Sequence, residues 1–226
     1  DSYLTPGWTS YNKTLQMQSY DVTPLLKEDE NVISFTVNEG WYCGGLTWEK
    51  KRNLYGEQTA VCAELDIGSS SICTDETWSA LESHIRESGI YDGETVDYTA
   101  ELKRLTTCEV AYDKSLIVPQ ICEPVRDTER LAVKEIITTP SGDKIYDFGQ
   151  NIAGVVEIVT PEDFSGTITL RFAEILIKGE FYTDNLRGAK ATDKFTVKGA
   201  KALKPEFTFH GFRYLKIEGA VFDSRR

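Results

Sequence analysis

Two clusters in this 226-residue sequence hold residue types capable of binding chemistry. The run Ser88-Gly-Ile-Tyr-Asp-Gly-Glu-Thr-Val-Asp97 places Asp92, Glu94 and Asp97 around a glycine turn beside Tyr91. Closely spaced carboxylate oxygens suit a hard cation such as calcium, and the hydroxyls of a sugar can complete its coordination shell. The spacing falls short of an EF-hand loop, and an ordinary solvated acidic turn has the same composition. The run Gly40-Trp-Tyr-Cys-Gly-Gly-Leu-Thr-Trp48 is aromatic and punctuated by glycine. Flat aromatic faces stack on the apolar faces of sugars, but large aromatics are also the residues most used to fill a core.

Nothing in the chain marks a self-sufficient catalyst. It has no GxSxG elbow, P-loop, HExxH or GxGxxG. Its two histidines, His84 and His210, fall in different halves. Paired carboxylates are able to hydrolyse a glycoside, yet no spacing singles out a pair among 36 acidic residues.

The charge balance narrows the partners. Against 36 acidic residues stand 25 basic ones, a net charge of −11, which disfavours nucleic acid and anionic membranes because phosphate binding needs a basic patch. No apolar run approaches the about 18 residues that span a bilayer. The charge is also uneven: residues 1–117 carry 20 acidic and 9 basic side chains, the remainder 16 of each. All four tryptophans (Trp8, Trp41, Trp48, Trp78) lie in the first stretch. Leu116-Ile-Val-Pro-Gln-Ile-Cys-Glu-Pro124 reads as an extended connector, so two domains are expected, 1–117 and 118–226. Five cysteines, an odd number with no CxxC, favour free thiols and the cytoplasm over secretion; one or two disulfides in an exported chain are the alternative.

The elements that must position these residues read as β. Ile33, Phe35 and Val37 alternate with polar residues, as do Val61, Ala63, Leu65 and Ile67; Ile168, Leu170 and Phe172; and Phe195 and Val197, while Leu215 and Ile217 close a last strand. Thr23 before Pro24 predicts one short helical turn over 21–27. Many short strands between Gly, Asp and Ser turns predict an all-β protein of two antiparallel, jelly-roll-like sandwiches.

Longer runs carry a family resemblance. Leu4-Thr-Pro-Gly-Trp-Thr-Ser-Tyr11, Tyr20-Asp-Val-Thr23, Gly40-Trp-Tyr42, Thr74-Asp-Glu-Thr-Trp78 and Ile90-Tyr-Asp-Gly-Glu-Thr95 resemble, in this order, the amino-terminal β-domain of bacterial α-L-rhamnosidases. Asp147-Phe-Gly-Gln-Asn-Ile-Ala-Gly154, Tyr182-Thr-Asp-Asn-Leu-Arg187, Ala191-Thr-Asp193 and Phe207-Thr-Phe-His-Gly-Phe-Arg-Tyr214 look like the β-domain that follows. The resemblance implies an accessory fragment whose opening strands would precede Asp1. It also implies that the glutamates of an inverting hydrolysis sit in a downstream (α/α)6 barrel. Rhamnose-containing glycans and that catalytic domain are the implied partners; an independent carbohydrate-binding module is the alternative. Because similar first domains bind rhamnose through calcium, the expected sugar contacts are Trp41, Tyr91, Asp92 and Glu94, with Asp92 and Glu94 holding the cation. Asp1 marks a place where related chains present polar ligands. Gln150, Asn151, Asn185, Arg187, His210 and Arg213 combine amide, guanidinium and imidazole groups near core aromatics, and are expected to brace the barrel or the rim of its site.

Overall fold

The computed structural model describes residues 2–220 and 222; Asp1 lies outside the described residues. The described residues form two compact units, one made of residues 84–101 with 126–220 and 222, the other of 2–83 with 102–125. A boundary at 118 would leave residues 84–101 with the first part. Hydrogen bonding instead joins them to strands a hundred residues later.

The first of these units is built on a seven-stranded sheet. Its strands are β1 (Ile85–Gly89), β2 (Gly93–Asp97), β3 (Glu135–Thr138), β4 (Lys144–Gly154), β5 (Ser165–Ala173), β6 (Thr192–Lys198) and β7 (His210–Glu218). They lie side by side as β1-β2-β6-β5-β7-β4-β3. All junctions are antiparallel except β2 to β6, where Lys194, Phe195 and Thr196 run parallel to Thr95, Val96 and Asp97. The alternation in the sequence becomes the core here. Ile168, Leu170, Phe172, Phe195, Val197, Phe212 and Leu215 are buried in one cluster with Val96 and Tyr146. Ile158–Thr160 pairs antiparallel with Lys201–Leu203 as a separate two-stranded sheet, and Leu203 and Val156 join the same cluster.

β4 bulges between Asp147 and Ile152 against β7. Gly149 takes φ +82° there, a conformation that a Cβ disfavours. Asp147 accepts the Gly149 N–H at 2.6 Å and a bidentate Arg213 guanidinium, Nε and Nη2 both at 2.8 Å. The Arg213 bond holds the Asp147 carboxyl below the usual carboxylate range. Arg213 thereby ties β7 across the irregular part of β4.

The other unit has short elements. Leu15–Met17 pairs in parallel with Ile117–Pro119, Glu64–Ile67 forms a hairpin with Ser70–Cys73, and Ala80–Leu81 pairs with Arg104–Leu105. The turn expected over 21–27 is a 3-10 helix at Thr23–Leu25, and its first N–H is met by Asp21 Oδ1 at 3.0 Å rather than by a Thr23 side chain. The strand expected over 32–37 does not form. Val32, Ile33, Phe35 and Val37 are all exposed, because an alternating segment becomes a strand only where a neighbour supplies its hydrogen bonds.

Candidate functional site

The glycine turn of the sequence reading is clamped on both sides. Gly93, at φ +100°, has no room for a side chain: a Cβ there would lie 2.1 Å from the Thr192 carbonyl oxygen. The N–H groups of Ala191 and Thr192 donate to the carbonyls of Tyr91 and Asp92 at 3.3 and 3.1 Å. The Thr208 hydroxyl donates to the Ile90 carbonyl at 3.1 Å. The turn is therefore seated along residues 190–193 and 206–210 of its own unit.

Its side chains divide. Tyr91 is exposed and Asp92 half-buried, with Asp92 Oδ1 accepting the Lys190 N–H at 3.4 Å. Glu94 points inward and is 1% exposed. Its Oε2 accepts the Glu206 N–H at 3.0 Å and its Oε1 accepts Phe207 N–H. Burial pushes the Glu94 carboxyl up to about 7, the neighbouring Asp193 and Glu206 adding to the rise and the two N–H donors opposing it. Glu94 is thus a clamp on the backbone at 206–207. The expected roles of Glu94 as sugar contact and cation ligand do not fit this placement, since both its oxygens are turned to N–H donors. Among the described residues no three His, Cys, Asp or Glu side chains converge as a metal site.

Trp41 lies in the other unit, in a four-residue helix, Gly40–Cys43. Its ring is parallel to that of Trp8, 6.3 Å away at an interplanar angle of 8°. Trp8 is half exposed and donates Nε1–H to the Tyr55 hydroxyl at 3.2 Å. Tyr55 and Tyr42 pack against Tyr11, whose hydroxyl donates to the Gly7 carbonyl at 2.7 Å. Burial raises the Tyr11 phenol to about 12. The tyrosine cluster thus holds Trp8 through Tyr55, and Trp8 and Trp41 lie parallel with Trp8 half exposed. Trp8 is the member the residue-by-residue reading missed; its signal was its place in the Leu4–Tyr11 run.

The six residues expected at a docking face divide by burial. His210 is buried, its Nε2 3.1 Å from Asp193 Oδ1 and its ring stacked on Phe172 at 4.2 Å. Arg213 is engaged with Asp147 as described above. Both hold their own unit together. Asn151 and Asn185 meet on one side chain that the sequence did not single out: Glu174 accepts their Nδ2–H groups at 3.2 and 2.9 Å. Gln150 and Arg187 are exposed, as are Ile175 and Phe209.

Residues 1–136 match the family model of the alpha-L-rhamnosidase N-terminal domain, and residues 137–225 match that of the bacterial alpha-L-rhamnosidase concanavalin-like domain. The chain belongs to the bacterial α-L-rhamnosidase family. It is 35% identical over 238 residues to an alpha-L-rhamnosidase of Alteromonas sp. (strain LOR), a match covering 96% of this chain and 26% of that protein. It is 36% identical over 248 residues to an alpha-L-rhamnosidase of Formosa agariphila, covering all of this chain and 26% of that one. Among solved structures, the native rhamnosidase of Aspergillus terreus superposes with a TM-score of 0.87 at 32% identity, over 97% of this chain and 28% of the other. The Streptomyces avermitilis rhamnosidase complexed with L-rhamnose gives 0.82 at 32% identity, over 96% and 23%. The chain therefore spans about a quarter of the length of the rhamnosidases it matches.

Proposed function

We propose that this chain is a non-catalytic accessory part of an α-L-rhamnosidase, supporting a catalytic domain and contacting rhamnose-containing glycans. What supports the reading is that matches to the family's N-terminal and concanavalin-like domains account for residues 1–225. Hydrolysis of terminal α-L-rhamnosides with inversion would belong to the catalytic domain of the whole enzyme. The Trp8–Trp41 pair supplies an open aromatic face for a sugar ring, and Tyr91 with Asp92 supplies a second, separate contact. Gln150 and Arg187, with exposed Ile175 and Phe209, are the groups proposed to meet the catalytic domain, since interfaces favour such mixtures of arginine, amide and apolar side chains.

The test is turnover. The purified chain is expected to leave aryl α-L-rhamnosides intact. Release of the aglycone that persists after contaminating host enzyme is removed overturns the reading. A second reading, an independent carbohydrate-binding module, is favoured by one observation, the half-exposed Trp8 on its stacked partner. The parent coding sequence separates the two: continuation into a helical barrel decides for the accessory role.

A further inference from the structure

Glu174 follows β5 and collects side chains from two other parts of the fold. Asn151 reaches it from β4, and Asn185 from the 3-10 helix Asp184–Leu186. Each amide spends one N–H on the carboxylate, and neither has another partner among the described residues. Each leaves one N–H and its carbonyl oxygen without a protein partner among the described residues, and both asparagines are exposed. The floor beside them is open because β7 carries a glycine there. A Cβ on Gly211 would lie 3.6 Å from Glu174 Oε1, and Gly211 pairs with Ala153 on β4. Along β7, His210 and Phe212 point inward, which leaves Gly211 and the preceding Phe209 on the exposed side.

Exposed amide–carboxylate contacts contribute little to stability. Their effect here is to fix two planar amides in one orientation before any ligand arrives, which lowers the entropy cost of binding. A pyranose presents what such an array recognises. Adjacent hydroxyls each donate and accept one hydrogen bond, matching the N–H and carbonyl oxygen of an amide. Its C–H face packs on a glycine–alanine floor or an aromatic ring. We propose that Asn151, Glu174 and Asn185 form a clamp for the vicinal hydroxyls of a pyranose, with the Gly211–Ala153 floor and Phe209 beside it. The sugar class rests on the rhamnosidase reading above; the site is additional to the Trp8–Trp41 face and the Tyr91 turn.

The test is a titration of the full chain with methyl α-L-rhamnopyranoside, followed by nitrogen–proton NMR. The side-chain amide signals of Asn151 and Asn185 and the backbone amide of Gly211 are expected to shift together with one Kd. Glu174→Ala, a substitution at a half-buried surface position, should leave the thermal midpoint nearly unchanged and weaken that Kd by about tenfold, the usual order for losing a set of oriented hydrogen bonds. Trp41→Ala should leave the clamp shifts in place. Shifts confined to the tryptophans or to Tyr91 overturn the clamp and spare the accessory reading. An unchanged Kd in Glu174→Ala also overturns it. Clamp signals that respond to a purified rhamnosidase catalytic domain but not to the sugar overturn it in favour of protein docking.

Discussion

His210 and Asp193 form a buried pair in which one carboxylate oxygen serves two partners. Asp193 Oδ1 lies 3.1 Å from His210 Nε2 and accepts the Glu94 N–H at 2.9 Å, whereas Oδ2 is buried with no hydrogen-bond partner among the described residues. The pair links β7, β6 and β2 across the one parallel junction of the sheet.

Removing the imidazole should therefore be costly. His210→Ala takes away a partner of a carboxylate that is already half satisfied, and also the ring on Phe172. Leaving a buried acceptor without its partner costs about 1–3 kcal/mol. Urea unfolding checks this; a midpoint equal to that of the parent chain would show that Asp193 is solvated after all.

Stability should also depend on pH through Glu94. Its folded value is raised from 4.5 to about 7, so its protonated form is the one favoured in the folded chain. This contribution is fully present below pH 4.5, declines as pH rises from there toward 7, and is lost above it. Each tenfold change in proton affinity is worth about 1.4 kcal/mol, so raising pH from 5 to 8 should cost the parent chain up to about 3 kcal/mol more than it costs Glu94→Gln. Identical pH profiles of the two chains in thermal melts would refute it.

Gly93→Ala should damage the turn more than any surface change nearby. The new Cβ would meet the Thr192 carbonyl oxygen at 2.1 Å and Asp193 Oδ1 at 2.7 Å, with φ at +100°. Backbone strain of this kind costs about 1–3 kcal/mol before any clash is counted. Circular dichroism melts should show a clear fall in midpoint, and an unchanged midpoint would mean that the turn can relax away from β6.

Thiol chemistry should separate the cysteines by burial. Cys62, Cys73, Cys108 and Cys122 are exposed free thiols and Cys43 is buried. A chromogenic disulfide reagent should titrate four groups quickly in the native chain and the fifth after denaturation. Five fast groups would mean that the helix carrying Cys43 opens readily.

The core was legible in the sequence, and the polar centre could have been. Glu94 shares a strand face with Val96, Asp193 with Phe195, and His210 with Phe212, each pair two residues apart on an inward-facing position. A charged residue in phase with core residues signals a buried partner, but the partner's identity depends on pairings across about a hundred residues that no local pattern encodes. Composition equally could not tell that the Asp92–Glu94 turn leaves one carboxylate half-buried and the other fully buried. The alternation at 32–37 failed for the same reason: Ile33, Phe35 and Val37 carry the strand period, and the neighbouring strand it needs lies outside local sequence. Glu174 was invisible because its two amide partners come from separate elements.

The parallel junction between β2 and β6 sets the order in which this unit can be assembled. During synthesis the β1–β2 hairpin is translated about a hundred residues before β6, its partner. Until then Val96 has no core to enter, and the outer edge of β2 is open to pairing with any other chain. Closing so long a loop is slow compared with forming a hairpin. The last strands translated therefore decide when the first ones are safe, and chaperone demand should be greatest while ribosomes traverse residues 98–192.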